Sequence, residues 1–171
     1  MFVPRKSIRL SPCNYHGCGC YFVTICCAHR LPLLLDASLF QKLITLLRAE
    51  ADAAGFSVLA YCFMPDHLHL LVESRQQSCD LPRFVKSFKQ KAGYAYRQRT
   101  GRQLWQSFFY DHILRREESS GLVAWYIWLN PVRVGICRAP QEYPFSGSFT
   151  LNWLFLVAPT RAWTPPWRRS V

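Results

Sequence analysis

FSVLAYCFMPDHLHLLVE, residues 56–73, holds two runs rich in apolar and aromatic side chains, separated by Pro65-Asp66. A Pro-Asp pair between such runs is a turn signal, so the stretch reads as a β-hairpin with strands over 56–64 and 67–73. Side chains alternate along a strand, which sends Leu68, Leu70 and Val72 to one face and His67, His69, Leu71 and Glu73 to the other. His67 and His69 then stand side by side, roughly 7 Å apart at their Cβ atoms. Two neutral imidazoles at this spacing can supply half of a four-coordinate metal site, with room left for water or substrate. The plainer alternative is that both hydrogen-bond on a solvated sheet face.

Elements on either side of the hairpin set its context. YFVTICC (21–27) reads as a strand. DASLFQKLITLLRAEADAAG (36–55) reads as an amphipathic helix, with Leu39, Leu43, Leu46 and Leu47 as its stripe and Gly55 as its stop. A second helix falls within LPRFVKSFKQKAGYAYRQRTG (81–101). The order β, α, β, β, α suits an antiparallel sheet with helices on one face, and it leaves the His67 and His69 face free.

A chain of 171 residues, half of them apolar, is the size of one domain with a sizeable core. Its 21 Lys and Arg against 10 Asp and Glu give a formal charge of +11, which points to a polyanionic partner. No apolar run reaches the roughly 18 residues of a membrane span, and MFVPRKSIRL lacks the apolar stretch of an export signal. The expectation is a cytoplasmic, nucleoid-associated protein that meets nucleic acid rather than a membrane. In that compartment the eight cysteines are reduced thiols, and Cys26, Cys27 and Cys62 serve as small apolar residues. The cluster CNYHGCGC (13–20) lacks paired C-x2-C spacing, so it is not read as a metal site.

The second helix carries Arg83, Lys86, Lys89, Lys91, Arg97 and Arg99, with Arg102 just beyond it, and no acidic residue lies between Asp80 and Asp111. A charge run is usually a solvated face, yet a run of one sign interleaved with Tyr94 and Tyr96 fits a phosphate track with stacking aromatics. Further on, ESSGLVAWYIWLNPVRVG (118–135) reads as a helix capped by Ser119 or Ser120 and ended by Pro131 near Asn130. Tyr126 and Asn130, four apart, share a helix face. Spacing alone leaves Tyr126 as a core tyrosine with a tethered hydroxyl.

Three stretches in order, AYCFMPDHLHLLVE, FVKSFKQKAGYAYRQRTGRQLWQSFFYDHILRREES and YIWLNPVRVG…PQEYPFSGS, together resemble the single-tyrosine HUH transposases. Within these they are similar to the insertion-sequence-200-like, REP-associated tyrosine transposases. The resemblance runs from about Tyr15 to Ser148 and implies an α+β, ferredoxin-like (RRM-like) sheet with the HUH motif on a central strand. It places the histidine pair on His67 and His69, the nucleophile on Tyr126 and a third metal ligand on Asn130. It implies Mg²⁺ or Mn²⁺ as cofactor, although two imidazoles on their own favour later transition metals. A phenol titrates at about 10, so it needs a phosphorus made electrophilic by such an ion. The implied reaction is attack on single-stranded or hairpin DNA, giving a 5′-phosphotyrosine and a free 3′-OH, with rejoining that needs no ATP.

Asp111-His112 recurs in the resemblance without a role that sequence supplies. Arg115 and Arg116 read equally as DNA-backbone contacts or as solvated charges. The resemblance defines a domain over 1–148, followed by a Trp-, Pro- and Arg-rich tail over 149–171 whose order the sequence leaves open. Two rival functions stand beside strand transfer. One is a catalytically silent binder of hairpin DNA or RNA, monomeric or homodimeric. The other is a zinc hydrolase on the same histidines, for which Glu73 is the nearest water-activating carboxylate.

Overall fold

The computed structural model describes residues 19–166. Cys13, His16 and Cys18 of the cysteine cluster lie outside that range. Five antiparallel strands, β1 (Cys20–Cys26), β2 (Phe56–Met64), β3 (His67–Ser74), β4 (Tyr110–Ile113) and β5 (Ser146–Gly147), lie in the order β4-β1-β3-β2-β5. With α1 (Ala37–Ala54) and α2 (Leu81–Thr100), the first four strands follow the β-α-β-β-α-β course of a ferredoxin-like domain. This α+β class is the expected one. β4, only four residues long, and β5, only two, are additions to the expected strands.

Local chemistry fixes the helix ends. The Asp36 carboxylate accepts from Ser38 and Leu39 N–H groups at the start of α1, and Asp80 accepts from Arg83 N–H at the start of α2. Gly55 closes α1 at φ 77°, where a side chain would be strained.

The hairpin positions the histidines. β3 is the middle strand, hydrogen-bonded to β1 through Thr24↔His69 and Cys26↔His67, and to β2 through Cys62↔His69 and Met64↔His67. Its Leu68, Leu70 and Val72 enter the larger core with Tyr21, Val23, Ile25, Phe63, Leu43, Leu47, Phe84 and Phe88, under α1 and α2. Its Leu71 enters a second core on the opposite face.

That opposite face is not free, and here the sequence-based expectation is corrected. α3 (Ser120–Trp128) crosses it, and Val123 to Trp128 are buried against Phe22, Ala60, Cys62 and Met64. Small side chains at Ala60 and Cys62 let the helix sit close to the sheet. Trp153 of the tail stacks on Trp128 with centroids 4.9 Å apart, covering the outer side of α3. Burial from both sides explains why α3 is apolar nearly all round. Among the described residues no helix is long and apolar enough to cross a membrane. Six described cysteines are free thiols, and burial pushes those of Cys27 and Cys62 up to about 12.

Candidate active site

β3 brings His67 and His69 together: their Nε2 atoms are 3.0 Å apart. Two nitrogens bound at about 2.1 Å to one ion, at a right angle, stand about 3 Å apart, so the spacing suits a shared ion. Behind them the other ring nitrogens are held. His67 Nδ1 donates to the Asp66 carboxylate at 2.6 Å, which turns the lone pair of His67 onto Nε2. The Thr24 hydroxyl lies 2.8 Å from His69 Nδ1 and can act as donor or acceptor there. When Thr24 accepts, His69 also presents its Nε2 lone pair. Burial pulls the His67 imidazole below its ordinary range, with Asp66 opposing, which favours the neutral ring that a metal would need.

Tyr126 sits across the same face. Phe22 touches both partners, with ring centroids 5.2 Å from His69 and 6.1 Å from Tyr126. Tyr126 is 7% exposed, and among the described residues nothing hydrogen-bonds its hydroxyl. The Arg133 guanidinium lies 4.0 Å over its ring and also donates to its backbone carbonyl. Sequence reading missed Arg133, Asp66 as a carboxylate, and Thr24. The only signal for Arg133 was its place two helical turns beyond Tyr126.

Asn130 owes its orientation to Pro131. Proline has no N–H for the Ile127 carbonyl four residues back, and Asn130 Nδ2 supplies the missing donor at 3.2 Å, with a second bond to the Tyr126 carbonyl at 3.1 Å. The amide nitrogen is thereby committed, and Oδ1 is the atom left for a ligand. Asn130 is 9% exposed and begins the one-turn helix α4 (Asn130–Arg133).

The residue types fit an open, oxygen-completed site. Among the described residues no three His, Cys, Asp or Glu side chains gather around one point, so these residues supply two imidazoles and not the four protein donors of a closed zinc site. Glu73 is exposed and four strand residues from His69, about 13 Å along β3, too far to activate water there.

The basic residues divide. Lys91 pairs with the buried Glu50 at 2.5 Å, Arg99 with Asp36 at 3.4 Å, and Lys89 donates to the Ser107 and Phe108 carbonyls at 2.9 and 3.2 Å. These three are engaged in holding α2 to its neighbours. Arg83, Lys86 and Arg97 are the remaining cations of α2, which packs against the face opposite Tyr126, and Arg102 lies just past its end. Arg115 and Arg116 lie between β4 and α3, both exposed. His112 pairs with Phe22, which places its side chain on the histidine face, where Nε2 lies 2.8 Å from Glu118 Oε2.

A ferredoxin-like sheet with a histidine pair on its middle strand and a tyrosine helix across the same face defines the class of protein. The chain belongs to the IS200-like transposase family, whose model, Transposase IS200 like, matches residues 13–116. That match ends before α3, so Tyr126 and Asn130 lie beyond it. A REP-associated tyrosine transposase of Escherichia coli is 22% identical, with 79% of this chain and 84% of the relative covered. A Haemophilus influenzae protein named for the same group is 26% identical over 143 residues, covering 75% of this chain and 78% of its own. Among solved structures, a REP-associated tyrosine transposase bound to a REP hairpin superposes with a TM-score of 0.69 at 23% identity, over 82% of this chain and 81% of that one.

Proposed function

We propose that the chain cuts and rejoins single-stranded DNA beside hairpin-forming repeats, through a phosphodiester link to Tyr126. The observation that carries this reading is the shared Phe22 contact, which sets Tyr126 and the converging His67 and His69 nitrogens on one face. The Tyr126 oxygen attacks phosphorus, the bond to the 3′-oxygen breaks, the phenol proton is lost and the 3′-oxygen gains one. Arg133 over the ring balances the charge that develops on the phenol oxygen. His67, His69 and the Oδ1 of Asn130 would hold Mg²⁺ or Mn²⁺, which when bound polarises the scissile phosphate. The known relative's REP hairpin supports a folded DNA substrate for this chain too.

End-labelled hairpin DNA tests the polarity. A 3′ label should migrate with protein on a denaturing gel, while a 5′ label should stay on a free, shortened strand. Label on protein from the 5′ end would mean different chemistry, and uncut DNA would favour the silent binder.

Arg83, Lys86 and Arg97, which make no ion pair among the described residues, lie on α2 at the other face of the sheet, which suits them to the hairpin stem rather than to the scissile strand. Changing Arg83, Lys86 and Arg97 together to Ala should weaken hairpin binding and lower the slope of log affinity against log salt by roughly 0.9 per lost contact. An unchanged slope would place the stem elsewhere.

A further inference from the structure

Phe22, His112 and Tyr126 wall a slot on the histidine face, and the indole of Trp163, from the C-terminal tail, fills it. The indole centroid lies 5.7 Å from Phe22, 6.3 Å from His112 and 4.9 Å from Tyr126, edge to face in the last case. Its Nε1 donates to Glu118 Oε1 at 2.9 Å. The second oxygen of Glu118 is already occupied, by the Arg115 N–H at 2.9 Å and by His112 at 2.8 Å. Burial pushes the Glu118 carboxyl up, but the bonds from Arg115, Trp163 and His112 outweigh it and hold the group below the usual carboxylate range. Trp163 is only partly buried, and it borders a cleft of about 290 Å³ that Arg115 and Arg161 also line.

A flat ring packed on aromatic side chains, with one edge hydrogen-bonded to a fixed acceptor, is the way proteins hold an unpaired base. The slot adjoins the Tyr126 ring, so a base in it would lie beside the phosphate that Tyr126 attacks. An ionised carboxylate only accepts, so it favours a base that turns an amino group to it over one that turns a carbonyl. Adenine and cytosine carry amino groups where thymine carries the O4 carbonyl or a methyl.

We propose that this slot is a nucleobase site for an unpaired, amino-bearing base next to the scissile phosphate, and that Trp163 leaves it when DNA binds. The inference rests on the DNA reading above and deepens it. Glu118→Gln supplies the sharpest test. The Arg115 N–H needs an oxygen opposite it, so the new amide turns its NH2 toward the slot and converts the acceptor there into a donor.

Binding of fluorescein-labelled oligo-dA, oligo-dC and oligo-dT to the full chain, read by anisotropy, should show the difference. Trp163→Ala opens the slot and should bind oligo-dA and oligo-dC about tenfold more tightly than oligo-dT, the scale of one hydrogen bond to a charged group. Glu118→Gln both loosens the Trp163 contact and should reverse the preference toward oligo-dT. If Trp163→Ala melts too low to assay, Glu118→Gln with Trp163 in place decides alone. The same preference in every variant would overturn the slot while leaving the DNA reading standing. Failure of all three oligonucleotides to bind any variant would remove both.

Discussion

Replacing Tyr126 by Phe should leave a folded protein that binds hairpin DNA and forms no covalent adduct. The ring supplies nearly all of the packing, since Tyr126 is 7% exposed and lies against Phe22, Trp163 and the Arg133 guanidinium. Its hydroxyl has no hydrogen bond among the described residues, so removing it leaves no partner unsatisfied. The melting temperature should therefore shift by no more than about 1 kcal/mol of stability implies, a few degrees for a chain of this size. Adduct formation should fall roughly ten-thousand-fold or more, because the attacking atom itself is gone. A denaturing gel with 3′-labelled hairpin DNA and a thermal melt separate the two effects. Adduct at an unchanged rate would mean that another residue is the nucleophile.

The hairpin over 56–73 was legible because alternation, β-rich composition and a Pro-Asp turn agree, and His67 and His69 came with it on one face. Gly55 as the stop of α1 was equally legible, whereas the Asp36 and Asp80 caps came only with the structure. What was not legible depends on distant partners. β4 is four residues, Tyr110–Ile113, two of them polar, and only pairing with β1 makes it a strand. Glu50 and Asp36 are far in sequence from Lys91 and Arg99, so the ion pairs that these exposed cations of the basic run make within the chain could not be read from it. The tail has no period, and its Trp153 and Trp163 gain order from Trp128 and from the Phe22–Tyr126 face. The family resemblance supplied Tyr126 and Asn130 as candidates where spacing could not.

His67→Ala or His69→Ala should each abolish strand cleavage and remove Mn²⁺ binding measured by calorimetry, while hairpin affinity stays largely intact. Each change deletes one of two converging nitrogens and leaves one imidazole and one amide oxygen, too few protein donors to hold Mg²⁺ or Mn²⁺ firmly. Phosphate and base contacts elsewhere would supply most of the DNA affinity, so binding should be spared. The groups behind the histidines make the argument sharper than ligand deletion alone. Asp66→Ala removes the acceptor that holds His67 by its Nδ1, and Thr24→Val removes the hydroxyl beside His69 Nδ1, yet neither touches the Nε2 atoms. Each should lower Mn²⁺ affinity by about 10- to 100-fold without preventing saturation at higher ion concentration. Cleavage should then recover as Mn²⁺ is raised for Asp66→Ala and Thr24→Val, and should not for either histidine variant. If all four variants recover alike, the ion sits elsewhere; if unmutated protein cuts at full rate in EDTA, no ion takes part, and the 3.0 Å pairing of the two imidazoles is only a hydrogen bond.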